Sequence, residues 1–207
     1  KQPDLGSAII LVPILIGILF LNGTRLLSIF IFLGYQVALI PILWNFLKIY
    51  QKKRILTFLD PMGDPLGSGY NVIQSKIAIG SGSFFGKGFL DGTQTQLNFL
   101  PVQHTDFIFS TLGEQFGFFG CFIILILFFF LIYKAISITM NAKDKLGALI
   151  AGSITIYFTC QIIINIGMTI GLLPVTGLPL PFISYGGSSI LFTYISIGLL
   201  LNIKMRK

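Results

Sequence analysis

Apolar positions dominate the chain in long uninterrupted runs. Residues 5–24 and 26–47 carry no charge and are separated by Arg25. A third, Phe-rich run covers 115–133, and residues 146–203 hold no charged side chain at all. A helix needs about 20 apolar residues to cross about 30 Å of hydrocarbon. The last run is too long for one crossing, and Pro174, Pro179 and Pro181 divide it. The pattern predicts five spanning helices, about 5–24, 26–47, 115–138, 146–173 and 182–203. Pro13 and Pro41 fall inside two of them and predict kinks, because neighbours in a membrane bundle re-satisfy the freed carbonyls.

Between the second and third spans, residues 48–114 break the pattern. Ile55-Leu56, Phe58-Leu59, Ile77-Ala78-Ile79 and Phe84-Phe85 make this segment too apolar for a solvated tail. Asp60-Pro61, Asp64-Pro65 and a series of glycines punctuate it. Short interfacial helices are expected around 50–59 and 70–79, joined by glycine turns. Gly80-x-Gly82 and Gly86-x-Gly88 read either as plain turns or as backbone nests for an anion. The expected fold class is therefore an all-α polytopic membrane protein whose long extracytoplasmic loop bears short interfacial helices.

Composition agrees. The 207 residues are 54% hydrophobic and 10% charged, with mean hydropathy +0.89, whereas soluble domains carry about 25% charge. Cys121 and Cys160 lie in apolar runs and read as small apolar residues. One histidine and no metal-type spacing argue against a zinc site. The chain opens Lys1-Gln2-Pro3 with no signal-peptide pattern, and the missing Met suggests a fragment.

Charge orients the chain. Arg25, then Lys134, Lys143 and Lys145, then Lys204, Arg206 and Lys207 fall on one face of a five-span protein, which the positive-inside rule makes cytoplasmic. Lys48, Lys52, Lys53, Arg54, Lys76 and Lys87 then lie outside. The rule excludes loops longer than about 60 residues, so their charge has another cause. Lys48, Lys52 and Lys53 suit anionic lipid headgroups. Arg54, Lys76 and Lys87 are candidate ligands for an anionic substrate group. The net charge of +7 reads as membrane anchoring; no nucleic-acid partner is expected.

Several ordered motifs then become specific. Gln74-Ser75-Lys76-Ile77-Ala78-Ile79-Gly80-Ser81-Gly82, Gly86-Lys87-Gly88, Gly92-Thr93-Gln94-Thr95-Gln96-Leu97 and Phe99-Leu100-Pro101 precede His104-Thr105-Asp106-Phe107-Ile108-Phe109. Gln2-Pro3-Asp4-Leu5-Gly6 opens the chain, and Pro179-x-Pro181 leads into Ser184-Tyr185-Gly186-Gly187-Ser188. This set resembles the SEDS family (RodA, FtsW and SpoVE), its RodA branch more than FtsW. Family members have about ten spanning helices, so the resemblance makes residues 1–207 the C-terminal half. Two positions depart from the family pattern: Val102 replaces an acidic residue, and Glu114-Gln115 replaces a Glu-Glu pair.

The resemblance implies a peptidoglycan glycosyltransferase of the bacterial cytoplasmic membrane. Such an enzyme builds glycan strands from lipid II, a polyprenyl-diphosphate disaccharide-peptide, for cell elongation and rod shape. It also implies a class B penicillin-binding protein and the elongation machinery as partners, and a divalent cation, Mg²⁺ or Mn²⁺, as cofactor. Asp106 is the implied catalytic base and a possible metal ligand. The residue-level argument stands beside this: a sugar hydroxyl is a poor nucleophile until a positioned carboxylate takes its proton, an effect of roughly 10²–10⁴ in rate. A diphosphate leaving group needs charge stabilisation more than an acid, so one carboxylate suffices where hydrolases use two. The competing reading makes Asp106 an N-cap of the next helix.

Other positions keep two readings each. Thr111-x-x-Glu114 matches a capping box, against a substrate or metal role for Glu114. His104 holds Asp106 or binds substrate, or is structural; Thr105 is taken as substrate-binding. Asp4 faces the central cavity or snorkels to water. Two other functions compete: a flippase for the same lipid, and an inactive truncated fragment. The spans offer a flippase little polarity beyond Gln36, Gln161 and Asn165.

Overall fold

The computed structural model describes residues 5–65, 67, 69–89, 91–97, 99–100 and 103–206. All regular structure among them is helical. In chain order these are α1 (Leu5–Leu21), α2 (Leu26–Phe46), α3 (Ile49–Leu59), a 3₁₀ turn (Pro61–Gly63), α4 (Tyr70–Ser81), α5 (Thr93–Gln96), α6 (Ile108–Met140), α7 (Lys145–Thr169) and α8 (Gly187–Met205). Among the described residues, α6, α7 and α8 are long and apolar enough to cross a membrane. The helices α1 and α2 contribute shorter apolar stretches, Ile10–Leu21 and Leu26–Ile42. These five helices stand where five spans are expected, and the protein is an all-helical polytopic membrane protein.

Their bounds differ from expectation for local reasons. The third helix starts at Ile108, not 115, and is broken at Gly117, where φ is 63° and ψ −161°. That backbone region is essentially restricted to glycine. Beyond the break, residues 118–140 give about 35 Å of helix at about 1.5 Å per residue, enough to span. The fourth helix stops at Thr169 because Gly171 turns into the left-handed region at φ 76°. The fifth begins at Gly187, after the Pro179–Pro181 stretch has run on as irregular chain.

The core lies between α6, α7 and α8. Phe109, Phe128, Ile162 and Leu180 form one buried cluster; Ala135, Ala151, Phe158 and Leu200 form another. The α1–α7 contact uses small residues: Gly17 sits against Ile156, and Gly152 against Leu21. Membrane helices approach in this way because lipid supplies no hydrophobic drive and close packing must.

The segment between α2 and α6 is ordered by caps and glycine contacts. The Asp60 carboxylate accepts the Met62 and Gly63 amides at 3.1 and 3.2 Å, fixing the 3₁₀ turn. Lys53 bridges to Asp64 at 3.0 Å. At the Gly117 break, the freed amides of Phe118 and Phe119 donate to the Ser83 and Phe84 carbonyls at 2.9 and 3.1 Å. In return the amides of Lys87 and Gly88 donate to the Glu114 and Gln115 carbonyls at 3.0 and 3.1 Å. Irregular backbone at a membrane helix is stable only when repaired in this way.

Candidate functional site

Three elements meet at His104-Thr105-Asp106: α3, the C-terminal end of α7 and the 170–186 turn; α4 packs beside them. The Ser75 hydroxyl, on α4, donates to the Thr169 carbonyl at 2.6 Å, and the Ser110 hydroxyl, 2.6 Å away, donates to Ser75. Both serines are fully buried. This staple ties α4, α6 and α7 together and sets Lys76 beside Gly171, whose left-handed turn leaves room for the lysine stem. The Lys76 side chain itself is exposed.

The backbone of the motif is held at three consecutive carbonyls. Tyr185 N–H donates to His104 O at 2.9 Å. Ser184 Oγ donates to Thr105 O at 2.7 Å. Asn165 Nδ2 donates to Asp106 O at 3.0 Å. Phe107, the next residue, is a buried anchor with 1% of its surface exposed.

The Asp106 side chain faces a mixed environment. Burial pushes its pKa above the ordinary carboxylate value; the Thr105 hydroxyl hydrogen bond and the Arg54 charge pull the other way. Gly177, with φ 77°, lies against this carboxylate: a Cβ there would stand 3.3 Å from Oδ2. The N-cap position of α6 falls on Phe107, which has no capping side chain. Asp106 therefore lies one residue before the cap position.

Arg54, on α3, donates through Nη1 to Thr176 O at 3.4 Å. The cavity beside it, lined by Thr57, Val72 and Leu173 among others, holds about 40 Å³. That is room for a water or so, so a diphosphate would meet Arg54 from its exposed side.

Lys87 and Glu114 are engaged with each other and with α5. Lys87 Nζ donates to Thr93 Oγ1 at 2.8 Å and Glu114 Oε1 at 3.1 Å. Glu114 is fully buried and also accepts the Gln94 and Thr95 amides at 2.9 and 3.0 Å and the Thr95 hydroxyl. The Thr111–Glu114 capping box does not form, because both residues sit inside α6. Glu114 instead receives the first-turn amides of α5. His104 is exposed, and Thr105 supplies the hydrogen bond to Asp106. Asp4 lies outside the described residues. The amides of Gly82, Gly86 and Gly88 all donate to backbone carbonyls, so these glycines make turns.

Among the described residues, no three His, Cys, Asp or Glu side chains cluster. Asp106 is the carboxylate at the motif that could hold a cation, and one carboxylate could serve Mg²⁺ only with other oxygens completing its shell. Asn165 and Ser184 are the positions whose roles sequence reading missed. Asn165 figured there only as a polar group within a span, and Ser184 only as part of a motif.

The chain is similar to known proteins over nearly its whole length. The FtsW/RodA/SpoVE family model, described as "Cell cycle protein", matches residues 1–207. The peptidoglycan glycosyltransferase MrdB of Escherichia coli (strain K12) is 46% identical over 98% of this chain and 55% of its own length. A probable peptidoglycan glycosyltransferase FtsW of Trichlorobacter lovleyi is 45% identical over 98% of this chain and 53% of its own. A solved chain described as "Structural coordination of polymerization and crosslinking by a peptidoglycan synthase complex" matches with TM-score 0.77 and 35% identity, covering 97% of this chain and 55% of that one. The chain thus spans about half the length of these relatives, and with motifs, fold and whole-chain match in accord, it belongs to the FtsW/RodA/SpoVE family.

Proposed function

We propose that this chain forms the catalytic half of a peptidoglycan glycosyltransferase that extends glycan strands from lipid II. The observation that carries the reading is the Asp106 carboxylate: part-buried, fixed through its own backbone, and facing Arg54. In the reaction, the acceptor sugar hydroxyl attacks the anomeric carbon of the donor sugar. The bond from that carbon to the diphosphate oxygen breaks, and the lipid diphosphate leaves with the electron pair. The hydroxyl proton passes to Asp106. A carboxylate raised by burial is a stronger base than a free one, and a general base works best when its pKa nears the working pH. Arg54 and the exposed Lys76 stand where the leaving diphosphate needs positive charge. A divalent cation, if the enzyme uses one, would be held by Asp106 and would supply further charge neutralisation at the diphosphate.

The charge of the short loops supports an orientation with the 48–114 loop outside the bacterial cytoplasmic membrane and Lys143 inside. The Gly92-Thr93-Gln94 and Ser75-Lys76 features support assignment to elongation rather than division. The names of the relatives support the activity, and the solved synthase complex supports a crosslinking partner, a class B penicillin-binding protein.

The flippase reading finds less support. Gln161 and Asn165 are buried, and Asn165 is engaged with backbone carbonyls. The test is the full-length protein with purified lipid substrate: growing polymer and released polyprenyl diphosphate are expected. Transfer of labelled lipid across sealed vesicles, with no polymer, would favour transport.

A further inference from the structure

Asn165 is the strangest residue in its helix. It is fully buried near the end of α7, in a run that carries no charge. Its Nδ2 donates to two carbonyls at once, Asp106 O at 3.0 Å and Leu178 O at 2.6 Å. Both amide protons are used, which fixes the side-chain orientation. Its Oδ1 is buried with no protein partner among the described residues. A buried acceptor in that state costs about 1–3 kcal/mol. The polar group is therefore kept for what Nδ2 holds.

What it holds is the link between two irregular segments. Leu178 belongs to the same turn as Thr176, which binds Arg54, and Gly177, which lies against Asp106. Ser184 makes a parallel link: its Oγ accepts the Leu180 amide at 2.7 Å and donates to Thr105 O at 2.7 Å. Two buried side chains thus fasten the 176–184 turn to consecutive carbonyls of the motif.

We propose that Asn165 and Ser184 are positioning residues that hold the Asp106 carboxylate in its reactive place by clamping the backbone on which it is carried. Neither touches substrate; both act through Asp106. The proposal rests on the reading of Asp106 as the base. It follows from the steep dependence of proximity catalysis on geometry, where displacement by about 1 Å costs on the order of 10²-fold.

The test uses the full-length protein with its transpeptidase partner and purified lipid substrate. Asn165→Leu keeps size and loses both bonds. It should lower kcat about ten- to a hundredfold, with KM within about twofold. That split between kcat and KM is the readout, because the substrate contacts themselves are untouched. A purely structural residue would lower the amount of folded enzyme and leave kcat per folded molecule alone. Ser184→Ala removes one hydroxyl and should act in the same direction; it carries the test if Asn165→Leu does not fold. Unchanged kcat in the folded variant, with Asp106→Asn inactive, would overturn the clamp and leave the base. An active Asp106→Asn would instead overturn the reading of Asp106 beneath it.

Discussion

Arg54 reaches across 122 residues of sequence to donate to the Thr176 carbonyl at 3.4 Å. That contact places its charge close enough to act on Asp106. Lys52, two residues away on the same helix, lies 5.8 Å from the Trp44 ring centre instead. Charge reversal at Arg54 should therefore weaken lipid-substrate binding about tenfold, or about 1.4 kcal/mol, and reversal at Lys52 far less. The check is KM or direct binding in the full-length protein. Equal losses at both positions would point to general attraction of lipid headgroups.

Gly117 carries the break in α6 and lies against the backbone of Phe84 and Gly86. Gly117→Ala adds backbone strain of about 1–3 kcal/mol to a steric clash with main chain. Thermal unfolding of the full-length protein should show a loss of about 3 kcal/mol. Gly198→Ala, in α8, is the control: an added Cβ meets nothing within 4 Å, and the change should stay within about 1 kcal/mol. Similar behaviour of the two variants would mean that the break is not built on Gly117.

Lys87 neutralises a carboxylate with no exposed surface. Lys87→Met leaves Glu114 charged and buried, a situation that costs about 3–5 kcal/mol when nothing else helps. The amides of Gln94 and Thr95 remain, so a loss of about 2–3 kcal/mol is expected, below that range. Unfolding of the solubilised protein measures it. Substrate affinity should fall less than for Arg54; the reverse ranking would return Lys87 to the substrate.

Topology is checked by cysteine labelling in sealed cells, on a background lacking Cys121 and Cys160. A membrane-impermeant reagent should reach Asp91→Cys and not Lys143→Cys. Labelling at 143 from outside would reverse the orientation drawn from the short-loop charges.

The parts of this protein readable from sequence are those set by local pattern. Apolar runs located the five helices, and the short apolar stretches punctuated by Asp-Pro and glycine located α3 and α4 to within two residues of their ends. The motif around Asp106 was legible as well. Long-range pairing was not. Thr111 and Glu114 have capping-box spacing, but any helix interior offers the same spacing. The true partners of Glu114, Gln94 and Thr95, lie 20 and 19 residues upstream. Asn165 is one polar letter in an uncharged run, and nothing local reveals that its amide reaches Asp106, 59 residues away. The extension of α6 back to Ile108 was hidden by Glu114, whose charge bounds the apolar run at 115 although the side chain is buried; two glycines of the extended helix have their own contacts, Gly113 and Gly117. The first sits close against Ile79, and the second breaks the helix without ending it.

The most direct measurement is glycan polymer length from purified lipid substrate, made by the full-length protein carrying Asp106→Asn together with the proposed transpeptidase partner. Asparagine keeps the size of the side chain and an oxygen for the Thr105 hydroxyl, and no helix cap is lost, since that position belongs to Phe107. Thermal unfolding should therefore match the native protein. Asparagine cannot take the proton of the attacking hydroxyl, so polymerisation should fall by at least about 10²-fold. Near-normal polymer from a normally folded Asp106→Asn protein would contradict the assignment of Asp106 as the base.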